Sequence, residues 1–402
     1  MEATTDDATL PYRRLPIVGA GSTFGMLEGV RVVDLTSSVA GPYATMLLSD
    51  FGAEIVKVER PEGDDARQWG PPFLDGQALW FAAMNRNKKS VVLDLRDTEG
   101  MRSLRAIIDD ADVIVTNQPP DVQRKLGLDH ESLREGRDDL IFVSITGFGL
   151  TGERADLTCY DLIAEGHSGV MDLTGTPGEE GQKVGAPAAD MLAGQDAAMA
   201  TMAALVGRQR TGRGCVIDIS LVESMTRFLA CRISSYLGSG EVPRRSGGTD
   251  SVIAIYQSFE TADLPINLGL GSDAIWKRFW TAVGDAAYGA RPDFRSNADR
   301  RVHRAEIVAR IQELLWTAGR VEWLQLFADA RIPAGPINRV DEVAADAALQ
   351  ERGLFCRLWS DRWPGAESSL LHPDHAGEPS WPWHPPRCIP CPAHPTTCRR
   401  CA

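Results

Sequence analysis

The sequence predicts a parallel α/β fold, and three observations in its N-terminal half support this prediction. Short apolar runs typical of strands recur at VRVVDLT (Val30–Thr36), EIVKVERP (Glu54–Pro61) and DLIFVSITGFG (Asp139–Gly149). Amphipathic segments typical of helices, such as TEGMRSLRAIIDDA, lie between them. Glycine-bearing or polar loops follow the apolar runs. Strands that alternate with helices in this way form a parallel sheet with both faces covered.

The individual elements follow from local signals. After VRVVDLT, the segment SSVAGPYATMLLSDFGA is expected to form a helix, with Pro42 at a first helical position. The second strand ends at Arg60, in a loop rich in Gly and Asp. A third strand is expected at Ser90–Leu95, and DVIVTNQPP reads as a further strand and loop. VIDIS is expected to be a buried strand, with LVESM as the helix after it.

The pattern changes after Met225, which predicts a second domain. TRFLACRISSYLGSG is typical of a helix, AIYQSFETADLPINLGLGS of a hairpin, and the segments that follow of helices. We predict an N-terminal lead-in at 1–26, a large α/β domain at 27–225 and a smaller α+β domain at 226–325. A return to the large domain at 326–355 and an irregular tail at 356–402, rich in Pro, Cys and His, complete the prediction.

Composition limits the possible partners and location. The chain has 402 residues, 43% of them hydrophobic, and a formal net charge of −13, which disfavours nucleic acid and anionic membranes as partners. No apolar run approaches the roughly 20 residues that cross a bilayer. The N-terminal segment has no apolar core of a secretory signal. We therefore predict a cytoplasmic protein without a nucleic-acid or membrane partner.

Several nucleotide and hydrolase motifs are missing from the sequence. No G-x-x-x-x-G-K-[ST] loop is present, which argues against ATP, and no G-x-G-x-x-G follows the first strand, which argues against NAD. A G-x-S-x-G nucleophile elbow is also absent, since Gly166-His167-Ser168-Gly169 has the wrong spacing.

The tail contains two C-x2-C pairs, formed by Cys388 with Cys391 and by Cys398 with Cys401. Paired C-x2-C units are typical of zinc sites, but the gap between these pairs is shorter than usual. Zinc in the tail and an extension with free thiols both remain open, and no metal site is predicted elsewhere.

Asp190 is the strongest candidate for chemistry. It follows a run of small residues and begins a long Ala/Met/Leu helix in VGAPAADMLAGQDAAMATMAALVG. An Asp in a first turn is often only a helix-stabilising acid. However, the surrounding Gly and Ala residues leave room for a bulky ligand, and a carboxylate there is suited to covalent chemistry.

Ligands of parallel α/β sheets lie beyond the carboxyl ends of the strands. The polar residues that directly follow the predicted strands are therefore candidate ligand contacts: Ser37, Ser38, Arg60, Arg96, Asn117 and Thr146.

Several sequence blocks, in the right order from about Leu27 to Gly353, resemble the class III CoA-transferase family. That family includes formyl-CoA and carnitine CoA-transferases and the α-methylacyl-CoA racemases. The blocks are LEGVRVVDLTSSVAGPYATMLLSDFGAEIVKVERPEGDD, NRNKKSVVLDL, CYDLIAEGHSGVMDLTGTP, GAPAADMLAG, RTGRGCVIDISLVESM, YQSFETAD and IPAGPINRVDEV. Their number makes the resemblance far more specific than one motif would.

The resemblance implies a CoA-transferase that moves CoA from an acyl-CoA donor to a small carboxylic acid, with CoA as substrate and without ATP. It implies Asp190 as nucleophile, an acyl-aspartyl anhydride and an aspartyl-CoA thioester. It also implies a split, Rossmann-like large domain and an interlocked-ring homodimer. The CoA contacts that it implies are Val39, Ala40, Arg60, Leu93, Asp94, Leu95, Arg96, Asn117, Lys125, Thr158, Tyr160 and Asp161.

Some positions depart from particular members of the family. The racemases have His where this chain has Tyr160, so a two-base proton transfer loses one partner, although Glu260 matches the racemase glutamate. Val39 and Ser37 stand where formyl-CoA transferase has Gln and His, and its tetraglycine loop is not reproduced. An acyl-CoA racemase or epimerase, and a CoA-binding homologue without turnover, therefore remain as alternatives.

Overall fold

The computed structural model describes residues 11–15, 17–19, 24–74, 76–250, 252–355 and 357–359. Within these residues the chain divides into two units. Unit 1 comprises the described parts of 11–168, 184–230 and 346–359, and unit 2 comprises 169–183 and the described parts of 231–345. Each unit has a sheet and a hydrophobic core of its own.

The strands are β1 (Ile17–Gly19), β2 (Arg31–Leu35), β3 (Glu54–Glu59), β4 (Phe73–Leu74), β5 (Gln77–Ala78), β6 (Lys88–Val92), β7 (Val113–Thr116), β8 (Ile141–Thr146), β9 (Val216–Ser220), β10 (Tyr256–Phe259), β11 (Ile266–Gly269), β12 (Ala334–Pro336) and β13 (Arg357–Trp359).

The helices are α1 (Ala40–Asp50), α2 (Leu79–Met84), α3 (Thr98–Asp109), α4 (Pro120–Leu126), α5 (His130–Arg134), α6 (Asp161–Ser168), α7 (Val170–Leu173), α8 (Ala188–Thr211), α9 (Leu221–Phe228), α10 (Ala230–Ser239), α11 (Asp273–Ala282), α12 (Ala286–Gly289), α13 (Asn297–Val302), α14 (Arg304–Leu315), α15 (Arg320–Asp329), α16 (Val340–Ala344) and α17 (Ala347–Glu351). Short 3₁₀ turns lie at Pro11–Arg14, Asp65–Gln68 and Pro292–Phe294.

Unit 1 is built on a six-stranded parallel sheet in the order β6-β3-β2-β7-β8-β9, which confirms the predicted α/β class. The chain builds one half outward from β2 through β3 to β6, and the other half from β7 through β8 to β9. The order therefore reverses between β2 and β7, and such a switch point opens a crevice at the carboxyl ends of the strands.

Burial explains why the central strands have few polar residues. All residues of β7 and β8 are buried, as expected for strands covered on both faces. One face of α3, with Leu104 and Ile108, packs with Leu35, Ile114 and Phe142 of the sheet in a single apolar cluster.

The long helix α8 packs against α1. Their contact is close at Gly194, where a Cβ would lie 2.6 Å from the Ala40 carbonyl oxygen. Ala189, Ala193 and Gly194 are buried in α8. Small residues here allow two helix backbones to approach, so this part of the small-residue run serves packing rather than leaving room for a ligand. Gly185 keeps the predicted open surroundings, with no atom within 4 Å of a Cβ placed there.

Unit 2 contains an antiparallel sheet in the order β10-β11-β12. The β10–β11 pair is the predicted hairpin. Its core is aromatic, with Trp276 in edge-to-face contact with Trp280 and Phe294, and Phe279 against Phe327. This core gives unit 2 a hydrophobic centre independent of the parallel sheet.

Unit 2 differs in extent from the predicted domain at 226–325. It begins with Gly169–Lys183 and then runs from Cys231 to Ala345, so the expected return at 326 comes later, at Asp346. The reason is β12, which pairs with β11, and Phe327, which is fully buried in the aromatic core. Neither the strand pairing nor this burial is visible in the local sequence pattern.

Two other predicted boundaries were wrong. The third strand was expected at Ser90–Leu95 but spans Lys88–Val92, because these five residues are the ones that pair with β3, from Ile55 opposite Lys88 to Glu59 opposite Val92. The residues 357–359, placed in the irregular tail, form β13 and pair in parallel with β1 of the lead-in. A strand whose partner lies near the other end of the chain leaves no local signal. The remaining tail, including Cys356 and the four cysteines of the two C-x2-C pairs, lies outside the described residues.

Candidate active site

Asp190 is the third residue of α8 and lies in unit 1. The residue before the helix, Pro187, provides no side-chain cap. Instead, Oδ1 of Asp161 accepts hydrogen bonds from the backbone N–H groups of Ala189 at 2.8 Å and Asp190 at 3.2 Å. A carboxylate in this position satisfies two N–H groups that the first helical turn leaves unpaired. Asp161 therefore fixes the backbone of the candidate nucleophile.

The surroundings of Asp190 disfavour its charge. Burial first, and the negative charge of Asp161 second, raise the pKa of Asp190 to about 7. Among the described residues, no lysine, arginine or histidine forms an ion pair with it. A carboxylate with this pKa is a stronger base and nucleophile than an ordinary aspartate, and a sizeable fraction of it is ionised at neutral pH.

Cys159 adjoins the same site and was not singled out in the sequence. Burial, followed by the charges of Asp190 and Asp161, raises the pKa of its thiol to about 11. Its side chain also closes on Gly147, where a Cβ would lie 2.1 Å from Cys159 Cβ. A thiol with this pKa is almost entirely protonated at neutral pH and is a poor nucleophile. The reactive candidate here is therefore the carboxylate rather than the sulfur.

A cavity of about 560 Å³ opens at the carboxyl edge of the parallel sheet in unit 1. It combines apolar walls with charged side chains of both signs, and its two arginines are the candidate partners of an anionic ligand. Its lining residues are Leu35, Thr36, Ser37, Val58, Glu59, Arg60, Glu62, Gly63, Asp64, Asp65, Leu93, Asp94, Leu95, Arg96, Gln118, Leu126 and Leu128. Five of the predicted CoA contacts, Arg60 and Leu93 through Arg96, thus lie together in one cavity.

Both arginines of the cavity already have carboxylate partners. Arg60 pairs with Asp65 and donates through Nε to the Gly63 carbonyl at 2.9 Å. Arg96 forms a two-pronged pair with Asp94, with both bonds at 2.8 Å, and this pair lowers the pKa of Asp94 to about 2. Both guanidinium groups are exposed, so these pairs are weak and can be exchanged for the oxygens of an anionic ligand.

Three of the predicted CoA contacts lie at the switch point between β2 and β7: Val39, Ala40 and Asn117. The side chains of Val39 and Ala40 are buried, each 3% exposed, which leaves only their backbone to a ligand. Asn117 follows β7, and its carboxamide accepts from Ser37 N–H at 3.0 Å and donates to Ser37 C=O at 2.8 Å. Asn117 therefore joins the loop after β2 to the loop after β7.

The remaining predicted contacts are not brought to the cavity. Lys125 is exposed near the end of α4 and is not among the lining residues. Thr158 is exposed beside Cys159, and Tyr160, directly before α6, is 73% exposed. Thr158 and Tyr160 precede Asp161 by three residues and by one, and neither lines the cavity.

A buried ionic network that was not predicted from the sequence lies behind the cavity. Asp34, in β2, accepts from Thr36, Thr45 and the Lys88 ammonium, the last at 3.1 Å. Burial alone would raise the pKa of Asp34, but the charges of Lys88 and Lys57 hold it well below its ordinary value. The available signal in the sequence was Lys57, which lies inside the apolar strand run EIVKVE. A buried lysine needs a buried partner, so its position predicts a buried carboxylate nearby.

Lys57 forms the second half of this network. Its ammonium lies 2.8 Å from Asp64 Oδ2 and donates to the Thr36 carbonyl at 2.7 Å. Burial alone would lower the pKa of Lys57, but Asp34 and Asp64 raise it above its ordinary value. The lysine therefore stays charged inside the protein and links β3 to the loop after β2.

No group of three or more His, Cys, Asp and Glu residues is arranged to hold a metal ion in the part of the chain that the structure describes. The four cysteines of the possible zinc site lie outside those residues. None of the helices within the described ranges is both long and apolar enough to span a membrane.

Comparison with known proteins places these features in a family. The model of CoA-transferase family III matches residues 27–387. The chain is 39% identical to a succinate–glutarate CoA-transferase of Agrobacterium fabrum, over 82% of this chain and 84% of the relative. It is 36% identical to the succinyl-CoA:glutarate CoA-transferase of Mus musculus, over 83% of this chain and 76% of the relative.

A crystal structure of a CaiB/BaiF family protein from Brucella suis is similar to the chain with a TM-score of 0.75 and 36% identity. The similarity covers 89% of this chain and 96% of the Brucella protein. Sequence and fold thus agree over most of the length. The chain is an enzyme that belongs to the class III CoA-transferases.

Proposed function

We propose that this enzyme transfers CoA from an acyl-CoA thioester to a carboxylic acid, with Asp190 as the nucleophile. The observation that carries the proposal is the environment of Asp190. Its carboxylate is partly buried, has no cationic partner among the described residues, and has a pKa raised to about 7. A carboxylate with a structural role is stabilised by a cationic partner. A carboxylate nucleophile, by contrast, loses reactivity when a cation neutralises its negative charge.

The first half-reaction exchanges one acyl bond for another. A carboxylate oxygen of Asp190 attacks the thioester carbonyl, the C–S bond breaks, and an acyl-aspartyl anhydride and CoA thiolate result. The thiolate then attacks the aspartyl carbonyl, which gives an aspartyl-CoA thioester and releases the donor acid with the former aspartate oxygen. The acceptor acid runs the same steps in reverse. One thioester replaces another, so no ATP is needed.

Asp161 and the small residues before α8 have supporting roles in this proposal. Asp161 fixes the Ala189 and Asp190 backbone and keeps Asp190 basic. Gly185, whose surroundings are open, leaves space for the reacting acyl group. Partial burial limits the access of water, which would otherwise hydrolyse an anhydride.

The proposed CoA site is the cavity at the sheet edge. Leu93, Leu95 and Leu128 offer an apolar surface for the adenine ring, while Arg60 and Arg96 are the candidate phosphate partners. Val39, Ala40, Asp94, Lys125, Thr158 and Tyr160 stay as proposed contacts of the same ligand, whereas the carboxamide of Asn117 is occupied by Ser37. CoA supplies the thiol on which the transfer depends, and the chain provides its nucleophile and its binding surface.

The substrates that we propose are dicarboxylic. The relatives from Agrobacterium and mouse are named for succinate, or succinyl-CoA, and glutarate, and both are 36% or more identical to this chain. We therefore propose succinyl-CoA as donor and a glutarate-like acid as acceptor. We further propose a cytoplasmic, interlocked homodimer, with the domain organisation implied by the resemblance. Size-exclusion chromatography with light scattering tests the dimer.

The proposed function is tested by trapping the intermediate. The protein is incubated with succinyl-CoA and hydroxylamine, digested, and examined by mass spectrometry for a hydroxamate on the Asp190 peptide. Asp190→Asn should lose the adduct and lower CoA transfer by at least about 10⁴-fold, as removal of a covalent nucleophile does in other enzymes.

Asp196→Asn is the matched control, because Asp196 lies on the same helix but pairs with Arg227. It should keep the adduct and most of the transfer rate. Full transfer by Asp190→Asn would refute the proposal. Solvent deuterium entering the α-carbon of the acyl group without acid exchange would instead support the racemase alternative.

A further inference from the structure

The loop that joins β2 to α1 is held at consecutive backbone groups by side chains from other elements. The Thr36 carbonyl accepts from the Lys57 ammonium at 2.7 Å. The Ser37 N–H and C=O both bond to the carboxamide of Asn117, at 3.0 and 2.8 Å. Hydrogen bonds from side chains thus replace the backbone hydrogen bonds between neighbouring strands at the point where β2 leaves the sheet.

The next backbone group continues this pattern. The Ser38 N–H donates to Oδ1 of Asp64 at 3.1 Å, and the other oxygen of Asp64 lies 2.8 Å from the Lys57 ammonium. Lys57 and Asp64 are both buried. The loop is therefore clamped from β3 and its following turn on one side, and from the end of β7 on the other.

The clamp holds an unfavourable backbone conformation. Ser38 has a φ of 70°, in the left-handed region that residues other than glycine rarely adopt. The loop is also tightly folded, since a Cβ at Gly41 would lie 2.3 Å from Thr36 Cβ. Sheets of this strand order often make this turn with a glycine-rich run, which this chain lacks. A strained residue persists only where its surroundings determine its conformation.

The loop leads directly into the N-terminus of α1, where no side chain caps the helix. The side chains of Val39 and Ala40 are buried, so these two residues can meet a ligand only through their backbone. The position of that backbone follows from the clamped residues just before it. An error of about 1 Å in such a group can lower a rate by about 100-fold.

We propose that Asn117 and Asp64 are positioning residues for CoA transfer. They hold Ser37 and Ser38 so that the Val39–Ala40 backbone meets the CoA thioester, and they act through the loop rather than on the reacting atoms. This inference rests on the proposed function, because it assigns the loop to the CoA site. It differs from a direct ligand role for the Asn117 side chain, whose oxygen and nitrogen both bond to Ser37.

The test compares Asn117→Ala with Asp112→Ala. Asp112 accepts the Arg31 N–H at 2.8 Å and so joins β7 to β2 at the amino ends of these strands, whereas Asn117 joins the same two strands at their carboxyl ends. Both variants lose side-chain bonds to the backbone of β2 or its loop, and denaturant unfolding gives the folded fraction of each. The readouts are kcat and KM for succinyl-CoA, expressed per folded molecule.

Asn117→Ala should lower kcat roughly 10- to 100-fold, while Asp112→Ala should stay within about twofold of the parent. Adding Ser38→Gly to Asn117→Ala should recover part of the lost kcat, because glycine adopts a φ of 70° without strain. Asp64→Asn, which removes the pairing with Lys57 but keeps an acceptor for Ser38, should give a smaller loss of kcat.

Equal kcat values for Asn117→Ala and Asp112→Ala would overturn the inference and leave the proposed function intact. A rise in KM alone, without rescue by Ser38→Gly, would also overturn it, because it would indicate direct ligand contact by Asn117. Absence of CoA transfer and of the Asp190 adduct in the parent protein would overturn the proposed function, and the inference with it.

Discussion

Asp34 and Asp190 are two carboxylates of unit 1 that are removed from water in opposite surroundings. Asp34 is fully buried, and its oxygens accept from two threonine hydroxyls, a backbone N–H and the Lys88 ammonium. Asp190 is partly buried, and the neighbouring charge is another carboxylate, Asp161. The pKa of Asp34 is lowered by its lysines, whereas that of Asp190 is raised to about 7.

The difference shows that burial alone does not decide the role of an acid. With cations and hydroxyls around it, a buried carboxylate joins β2 to its neighbours and has no free lone pair for chemistry. Without them, it is costly for the folded protein and remains reactive. The same residue type therefore stabilises the sheet in one place and is suited to acyl transfer in the other.

The largest expected effect on stability comes from Asp34→Asn. The change leaves the Lys88 ammonium, which is buried, without its carboxylate partner, so the free energy of unfolding should fall by about 3–5 kcal/mol. Urea denaturation at pH 7 measures it. A loss below about 1 kcal/mol would show that the network contributes little and would weaken the contrast with Asp190.

Asp190→Asn should change stability in the opposite direction. The folded pKa of Asp190, about 7, lies above its ordinary 3.8, so the unfolded chain loses this proton first and the contribution of Asp190 to stability falls as pH rises between those values. The variant should therefore be more stable than the parent at pH 8 and close to it at pH 4. Thermal unfolding at both pH values measures this difference. A less stable variant at pH 8 would contradict the proposed cost of the charge.

The pH dependence of acylation should report the charge of Asp161. Asp190 attacks as the carboxylate, so the single-turnover rate should rise with a midpoint near the pKa of about 7. Asp161→Asn keeps an oxygen to accept the α8 N–H groups but removes the charge. Its midpoint should move to lower pH, by about one unit. An unchanged midpoint would mean that burial alone sets the pKa of Asp190.

The smallest expected effect concerns Cys159. Burial, and then the charges of Asp190 and Asp161, raise its pKa to about 11, so iodoacetamide should modify it slowly at pH 8. Asp190→Asn removes one of those charges and should speed the reaction by a few-fold. The exposed Cys215 is the internal control and should react at the same rate in both proteins. An unchanged rate at Cys159 would show that Asp190 does not act on this thiol.

Much of this organisation was predictable from the sequence. The alternation of apolar runs and helices gave the parallel sheet, because strands covered on both faces must be apolar along their length. Asp190 stood out because it follows small residues at the start of a long helix. Arg60 and Leu93–Arg96 were assigned together through the family resemblance, and the cavity gathers them.

The remaining features depend on contacts between distant residues. The pairing of Asp34 with Lys88 and the capping of α8 by Asp161 join elements that local pattern cannot relate. The pairing of β1 with β13 joins the two ends of the described chain. The buried alanines of α8 were interpreted as space for a ligand because a sequence does not show which helix packs against them. Only the fold shows that those alanines are buried, whereas Gly185 has open space around it.

The claim that Asp190 exchanges its own oxygen with the substrates can be measured directly. The enzyme is given succinyl-CoA and glutarate labelled with heavy oxygen in both carboxylates, and the Asp190 peptide is examined by mass spectrometry after turnover. Acyl transfer through the anhydride predicts that one heavy oxygen passes from glutarate to the Asp190 carboxylate, while Asp34 and Asp196 stay unlabelled. Formation of glutaryl-CoA with no heavy oxygen at Asp190 would contradict a covalent role for this residue.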